Sequence, residues 1–484
     1  MNGTKLAHSA LAAVALLAAA CSDEPSLFRG RGDGGADAGR DASTRRSDAS
    51  AGSTGSSSGP GAGCKNLQCQ QLACDNGVST SVSGTVFDPA GRNPLYNVAV
   101  FVPNTKPDAF DAGASCDACN DLYTGSPIAA TLTDAAGKFK LDNVPVGASV
   151  PLVIQVGKWR RQLTIAEVSA CQDNPQPNGT LRLPRNRGEG DIPNIAVSTG
   201  GADTLECLLR RVGVDADEYV PGDDGAGRVH IFQGSRGSDD PPATNTSPAA
   251  PSSQVALWNT AEHLLRYDVL LLSCEGDETA NMNQQALHDY ASAGGRVFAS
   301  HFHYAWFNSG PYGNENLASW FAGSNEIGNV QGSIVTTLPS GAPFTKGQAL
   351  ASWLANVGAL RNGKLPITDA KRNAEVSAQN PHSQSWIVAE PGLFSQGGTQ
   401  YFSFNTPTDA LDNVGDTAAS YCGRVVFSDL HVGAASRDNR DRPVPAGCAD
   451  APLSPQEAAL EFMLFDLSSC IVPDQAMPEP PTLI

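Results

Sequence analysis

The feature that most constrains this chain is its first apolar stretch and the residue that ends it. Leu6 to Ala20 is mostly apolar, carries no acidic side chain, follows Lys5 and closes as Leu17-Ala18-Ala19-Ala20-Cys21. The stretch is shorter than the ~20 apolar residues that cross a bilayer. It therefore reads as a cleaved export signal over residues 1–20, not a permanent span. Export decides how the 12 cysteines are read. Thiols outside the cytoplasm pair with one another, whereas the same number inside it would suggest metal or redox chemistry. No later run is long and apolar enough to span a membrane.

Small residues ahead of a cysteine resemble the bacterial lipobox, with Ala18 where leucine is usual. The resemblance implies a diacylglycerol on the Cys21 thiol and acylation of the freed amine. Two or more acyl chains give a stable anchor where one does not. Ser22, standing where aspartate would signal retention, implies the outer membrane of a two-membrane bacterium. Residues 21–63 then read as a lipidated cysteine and a disordered tether, because Gly, Ser, Ala, Asp and Arg bury too little surface to offset the entropy of ordering. Lipidation of Cys21 leaves eleven of the 12 cysteines, an odd number. Cys64, Cys69, Cys74, Cys116, Cys119, Cys171, Cys207, Cys422, Cys448 and Cys470 are the candidates for disulfides of undetermined connectivity, and Cys274 is the natural unpaired thiol. Cys116-x-x-Cys119 alternatively has the spacing of a zinc or disulfide-exchange pair.

At 484 residues the chain exceeds what one core organises, which predicts two or three domains. Residues 64–171 read as a small β-sandwich. Ser83 to Phe87 precedes a turn at Asp88-Pro89-Ala90-Gly91; Thr131 to Thr133 and Lys138 to Leu141 flank Asp134 to Gly137; Leu152 to Val156 and Gln162 to Ile165 flank Gly157-Lys158. Two blocks, Gly84, Val86, Asp88, Gly91, Pro94, Leu95 and then Thr133, Asp134, Gly137, Phe139, Leu141, resemble the carboxypeptidase regulatory-like (transthyretin-like) domain. That resemblance implies a non-catalytic module. Residues 172–193, rich in Pro, Asn and Gly, read as a linker.

Residues 194–472 change texture to alternating strand and helix, which predicts an α/β domain with a parallel sheet and helices on both faces. Strands fall at Asn194 to Ser198, Arg228 to Phe232, Asp268 to Ser273 and Arg296 to Ser300, with later ones at Trp386 to Ala389, Tyr401 to Phe404 and Arg424 to Ser428. Asp203 is placed to cap a helix with the apolar face Leu205, Leu208, Leu209 and Val212. Ser454 and Glu457 have capping-box spacing around Pro455, ahead of Leu460, Met463, Leu464 and Leu467. Residues 473–484 read as a disordered tail. Leu272-Ser273-Cys274-Glu275-Gly276 resembles the Gly-x-Cys-x-Gly elbow of the class I glutamine amidotransferase-like superfamily, whose fold is flavodoxin-like. Leu272 replaces the first glycine. The family's catalytic histidine lies in His-x-Glu after a late strand; His431 follows such a strand here, but Gly433 stands where the glutamate belongs.

Three functional readings follow. The missing glycine and glutamate favour a non-catalytic surface lipoprotein whose amidotransferase-like site has degenerated into a binding or interaction surface, with no cofactor. An extracytoplasmic thiol hydrolase would use Cys274 as nucleophile, His431 as base and Asp429 or Glu275 as orienting group. A divalent metal site would use His301 and His303, which alternate on a strand and so face the same side, together with His431. The aromatic run Tyr304, Trp306, Phe307, Tyr312, Trp320 and Phe321 either lines a cleft for a peptide, protein or carbohydrate ligand or covers the sheet. A net charge of −18 and a pI near 4.8, with no local Lys/Arg cluster, argue against nucleic acid as a partner.

Overall fold

Short, mostly apolar-rich runs between Gly, Asn and Asp turns form seven strands in the first part of the chain. They are β1 (Ser81–Thr85), β2 (Ala99–Pro103), β3 (Pro127–Leu132), β4 (Lys138–Asp142), β5 (Gly147–Val156), β6 (Trp159–Val168) and β7 (Asp173–Pro175), with the short helix α1 (Cys119–Leu122) between β2 and β3. This computed structural model describes residues 63–117, 119–223, 225–234, 249–391, 397–411, 421–431, 444–449 and 451–484. The signal stretch, Cys21 and the tether through residue 62 lie outside the described residues.

The strand order is β4-β1-β7 in a three-stranded sheet and β3-β2-β5-β6 in a four-stranded one. Val82 and Leu141 of the first share a core with Val100, Leu152 and Ile154 of the second. The turn at Asp134 to Gly137 does not close a hairpin. It carries the chain from one sheet to the other, since β3 pairs with β2 while β4 pairs with β1. The Asp134 carboxylate accepts from the Ala136 and Lys138 amides and fixes the reversal. Such turn chemistry is local and does not determine which edge the next strand joins. Gly157-Lys158, by contrast, does join a hairpin, β5 to β6. Gly157 has φ 54°, and a Cβ there would stand 1.7 Å from the Ser468 carbonyl oxygen. Only glycine lets this hairpin tip meet the last helix. The stretch read as a linker contributes β7 and buries Leu181 and Leu183.

The remaining elements are β8 (Ile195–Thr199), α2 (Leu205–Val212), β9 (Tyr219–Pro221), β10 (Val229–Gln233), α3 (Ser253–Ala256), α4 (Ala261–Leu264), β11 (Val269–Leu272), α5 (Gln284–Ser292), β12 (Arg296–Ser300), β13 (Ser319–Trp320), β14 (Glu326–Ile334), α6 (Thr345–Asn356), β15 (Leu365–Lys371), β16 (Ala374–Glu375), β17 (Ser383–Ala389), β18 (Gly398–Thr406), β19 (Gly423–Ser428) and α7 (Pro455–Ser468). Ten of these strands form one sheet in the order β15-β14-β17-β18-β19-β12-β11-β8-β10-β9. Neighbours from β19 to β9 are parallel. Neighbours from β18 to β15 are antiparallel, so the sheet is mixed where a parallel one was expected. The link from β17 to β18 is too short for a parallel crossover, which takes a dozen or more residues.

Alternate side chains of the parallel strands go to opposite faces. Ala196, Leu270, Leu272 and Val297 pack with Leu287 and Tyr290 of α5, and Ile195, Val197, Leu271 and Phe298 pack with α2 and α7. The protein is rich in sheet, with several sheets and few helices. No helix of the described residues is long and apolar enough to cross a membrane.

Helix α7 begins with the capping box: the Ser454 hydroxyl accepts from the Glu457 amide, and the Glu457 carboxylate accepts from the Ser454 amide. Its apolar residues predict one buried face, yet residues 456–468 are buried all round. Phe462 stacks on Tyr96 and meets Trp353, Phe465 meets Trp159 edge to face, and the opposite side contacts β12, β15 and β19. Three acids on a buried helix require partners. Glu457 pairs with Arg211, Asp466 pairs with Arg424 and Lys346, and Glu461 accepts from Asn93 at 2.6 Å. Burial pushes Asp88 up to about 6 and Glu461 well above its ordinary range, and the two share a hydrogen bond. The tail read as disordered is also engaged. Asp474 pairs with Arg424 at 2.5 Å, and the Ile484 amide donates to the Pro127 carbonyl.

Five disulfides join Cys64–Cys69, Cys74–Cys171, Cys116–Cys422, Cys119–Cys470 and Cys207–Cys448. Pairing on this scale belongs to an oxidising compartment. Among the described residues Cys274 is free and buried.

Candidate functional site

Open α/β sheets present chemistry at the carboxyl ends of their parallel strands, where loops leave a rigid edge. Three adjacent strands end here in reactive side chains: β11 is followed by Cys274, β12 by His301 and β19 by His431. One ligand atom from each of the three lies within 4.8 Å of the others. Cys274 Sγ is 3.4 Å from His301 Nδ1, and the His301 and His431 rings are 4.8 Å apart by centroid. Cys274 is 0% exposed, His301 2% and His431 8%.

Local folding explains why His301, not His303, reaches the cysteine. The sequence places both on one strand face, but β12 stops at Ser300 and residues His301–Trp306 form a 3-10 turn. His301 takes φ 45°, a left-handed conformation uncommon for a residue with a side chain. This breaks the alternation. His303 Nδ1 turns back to the Ser300 carbonyl at 2.9 Å. Burial pushes His303 down to about 4. Burial, and then the neighbouring His431, push His301 down to about 3. His301 Nε2 bonds the Ser324 carbonyl at 3.0 Å.

The loop after β11 is held from both sides. Ser300 Oγ accepts from the Cys274 amide at 3.0 Å and donates to Asp203 at 2.7 Å, and the Cys274 carbonyl accepts from the Ala202 and Asp203 amides. Asp203 therefore serves this junction; the cap position of α2 is Thr204. Gly200 passes so close that a Cβ there would stand 2.0 Å from the Cys274 carbonyl oxygen. Burial dominates the Cys274 thiol and raises its pKa far above the ordinary range, with Asp203 and Glu275 acting in the same direction. The amides of Phe302 and Gly276 face the sulfur and only partly oppose this.

The other candidates are placed as follows. Glu275 is buried with its carboxylate against Gly234. Asp429 accepts from the Asn373 and Ala374 amides, so it anchors the loop before β16; burial pushes it up to about 7. His431 Nδ1 lies 4.0 Å from Asp369 Oδ2, which stands nearest the position of an orienting carboxylate. Asp369 sits on β15, and nothing in the sequence pattern points to it. Tyr304, Trp306, Phe307 and Tyr312 are buried in the core under α5, with Trp320 packed against it. The ten candidate disulfide cysteines are paired as above, and Cys116 and Cys119 each bond a distant partner.

No family model matches the chain, and no curated protein does. Among solved structures, a thua-like protein from Parabacteroides merdae aligns over 58% of this chain and 97% of its own, at 12% identity and TM-score 0.28. An N-terminal interface mutant of a type II cohesin–X-dockerin complex from Acetivibrio cellulolyticus aligns over 30% of this chain and 78% of its own, at 16% identity and TM-score 0.15. A 9R-lipoxygenase from Cyanothece aligns over 23% and 17%, at 12% identity and TM-score 0.11. Likenesses at these scores carry no argument about this protein.

Proposed function

We propose that the protein is an exported lipoprotein, held at an outer-membrane-type surface through Cys21, that binds a protein, peptide or carbohydrate partner and does not hydrolyse substrates through its cysteine. In this reading the sandwich is a carboxypeptidase regulatory-like spacer. The ten-stranded sheet carries a flavodoxin-like, amidotransferase-like unit, supported by the parallel order β10-β8-β11-β12-β19, which is 2-1-3-4-5 in chain sequence.

The observation that carries the non-hydrolytic reading is the complete burial of Cys274. A nucleophilic cysteine needs a substrate to reach its sulfur, and at 0% exposure this thiol is closed to a substrate-sized molecule. Alkylation of Cys274 with iodoacetamide across pH is the test. We expect no labelling of the folded chain and full labelling once it unfolds. Rapid labelling of the folded chain below pH 8 would instead place a stabilised thiolate beside His301 and restore the hydrolase. The anchor has its own test. Cys21→Ser should move the protein from the detergent phase to the aqueous phase in a temperature-induced partition; partition unchanged by that substitution rejects the lipid.

A further inference from the structure

We infer that Cys274, His301 and His431 bind one zinc-type divalent cation, leaving a fourth coordination position for water or a small anion. This goes beyond the surface-binding reading and does not depend on the anchor or on either domain resemblance. Thiolate and imidazole donors suit zinc and its neighbours among the transition metals, whereas calcium and magnesium take oxygen. Three protein ligands with one open position is the arrangement of zinc sites that exchange a ligand.

The geometry is close to what coordination demands. Bond lengths of ~2.3 Å to sulfur and ~2.0 Å to nitrogen in a tetrahedron put the S···N edge near 3.6 Å. Cys274 Sγ and His301 Nδ1 are already 3.4 Å apart. The widest separation in the trio, within 4.8 Å, closes by about 1 Å on binding. Because each ligand follows a different strand of one parallel block, the trio stands on a rigid edge.

The surroundings supply the outer contacts that metal ligands require. His301 donates from Nε2 to the Ser324 carbonyl, which fixes the proton there and leaves the Nδ1 lone pair facing the sulfur. His431 has the Asp369 carboxylate near Nδ1, and its buried Nε2 has no hydrogen-bond partner. An orphaned buried imidazole nitrogen in a three-ligand cluster is accounted for by a cation. The Phe302 and Gly276 amides face the sulfur, as N–H groups do around a bound thiolate. Binding exchanges the Cys274 S–H bond for an S–metal bond and releases one proton to solvent, with no change in oxidation state.

Cobalt(II) is the probe. Titrated into metal-free full chain with its disulfides formed, it should saturate at one equivalent with a near-ultraviolet thiolate-to-cobalt charge-transfer band and the intense visible bands of tetrahedral cobalt. Zinc should displace both. Cys274→Ser should abolish the charge-transfer band, and His431→Gln, which removes a ligand, should weaken binding by more than the ~10- to 100-fold that loss of an outer contact costs. His263→Gln, at a histidine bonded to Asn259 away from this edge, should change nothing. A wild-type titration without the thiolate band overturns the site, whatever the variants do; so does a band that survives Cys274→Ser in chain of unaltered circular dichroism.

Discussion

Replacing Arg424 with methionine is expected to destabilise the protein by about 3–5 kcal/mol, the range seen when one member of a buried ion network is removed. Arg424 lies on β19 and is 2% exposed. Its guanidinium reaches Asp466 of α7 at 2.8 Å and Asp474 of the tail at 2.5 Å. Without it, among the described residues the two buried carboxylates share one cation, Lys346, at 3.3 Å and 3.8 Å, and Asp474 keeps the Ser403 hydroxyl at 2.7 Å. Methionine keeps much of the stem volume, so the loss reports the charge. The effect should depend on pH in a defined direction. Burial by itself would raise the Asp466 carboxyl, but Arg424 and Lys346 outweigh it and hold the carboxyl below its ordinary value. A carboxyl lowered in the folded state contributes stability above its unfolded pKa of about 3.9, and the contribution is lost as pH falls through the folded value. The Arg424→Met penalty should therefore be full at pH 7 and shrink in acid below that range. Urea unfolding with the disulfides intact measures it; a loss under about 1 kcal/mol at pH 7 would mean the network is solvated and weak.

Removing the bridge between Cys119 and Cys470 by alanine at both positions should cost about 4 kcal/mol. The bridge spans a sequence separation of 351. The entropic gain is smaller than that span suggests, because Cys116–Cys422 already closes most of the loop. What remains is an effective loop of roughly 50 residues, and loop entropy grows only logarithmically with length. The bridge also fixes α1 to the residues just past α7. Thermal unfolding of the double-alanine chain against the parent should show the loss; an unchanged midpoint would assign the ordering of this corner to packing alone.

Local chemistry made parts of this fold legible. The α7 capping box, the Gly157 hairpin and several β-strands follow from hydrogen-bonding needs and periodicity within a few residues. The odd cysteine count left one thiol over, and in the structure Cys274 is free. What the residues alone do not carry is long-range. Strand pairing across two sheets separates β3 from β4, and burial of α7 on every side depends on partners hundreds of residues away. At the site, the alternation of His301 and His303 assumed a strand that in fact ends at Ser300, before either histidine. The carboxylate that faces His431 is Asp369, brought in on β15 by antiparallel pairing with β14 across an intervening helix, which no motif marks.

The position of α7 has a consequence for how the protein is made. A ribosome delivers the sandwich strands and the parallel strands β8 to β12 long before it delivers residues 455–468, yet both are packed by that helix. Until it arrives, Trp159, Tyr96 and Trp353 lack their aromatic partners, and Cys119 has no Cys470 to meet. The nascent chain is thus obliged to wait. A stop codon before α7 removes those aromatic contacts together with the partner of Cys119, and leaves the apolar surface that the helix covers open to solvent.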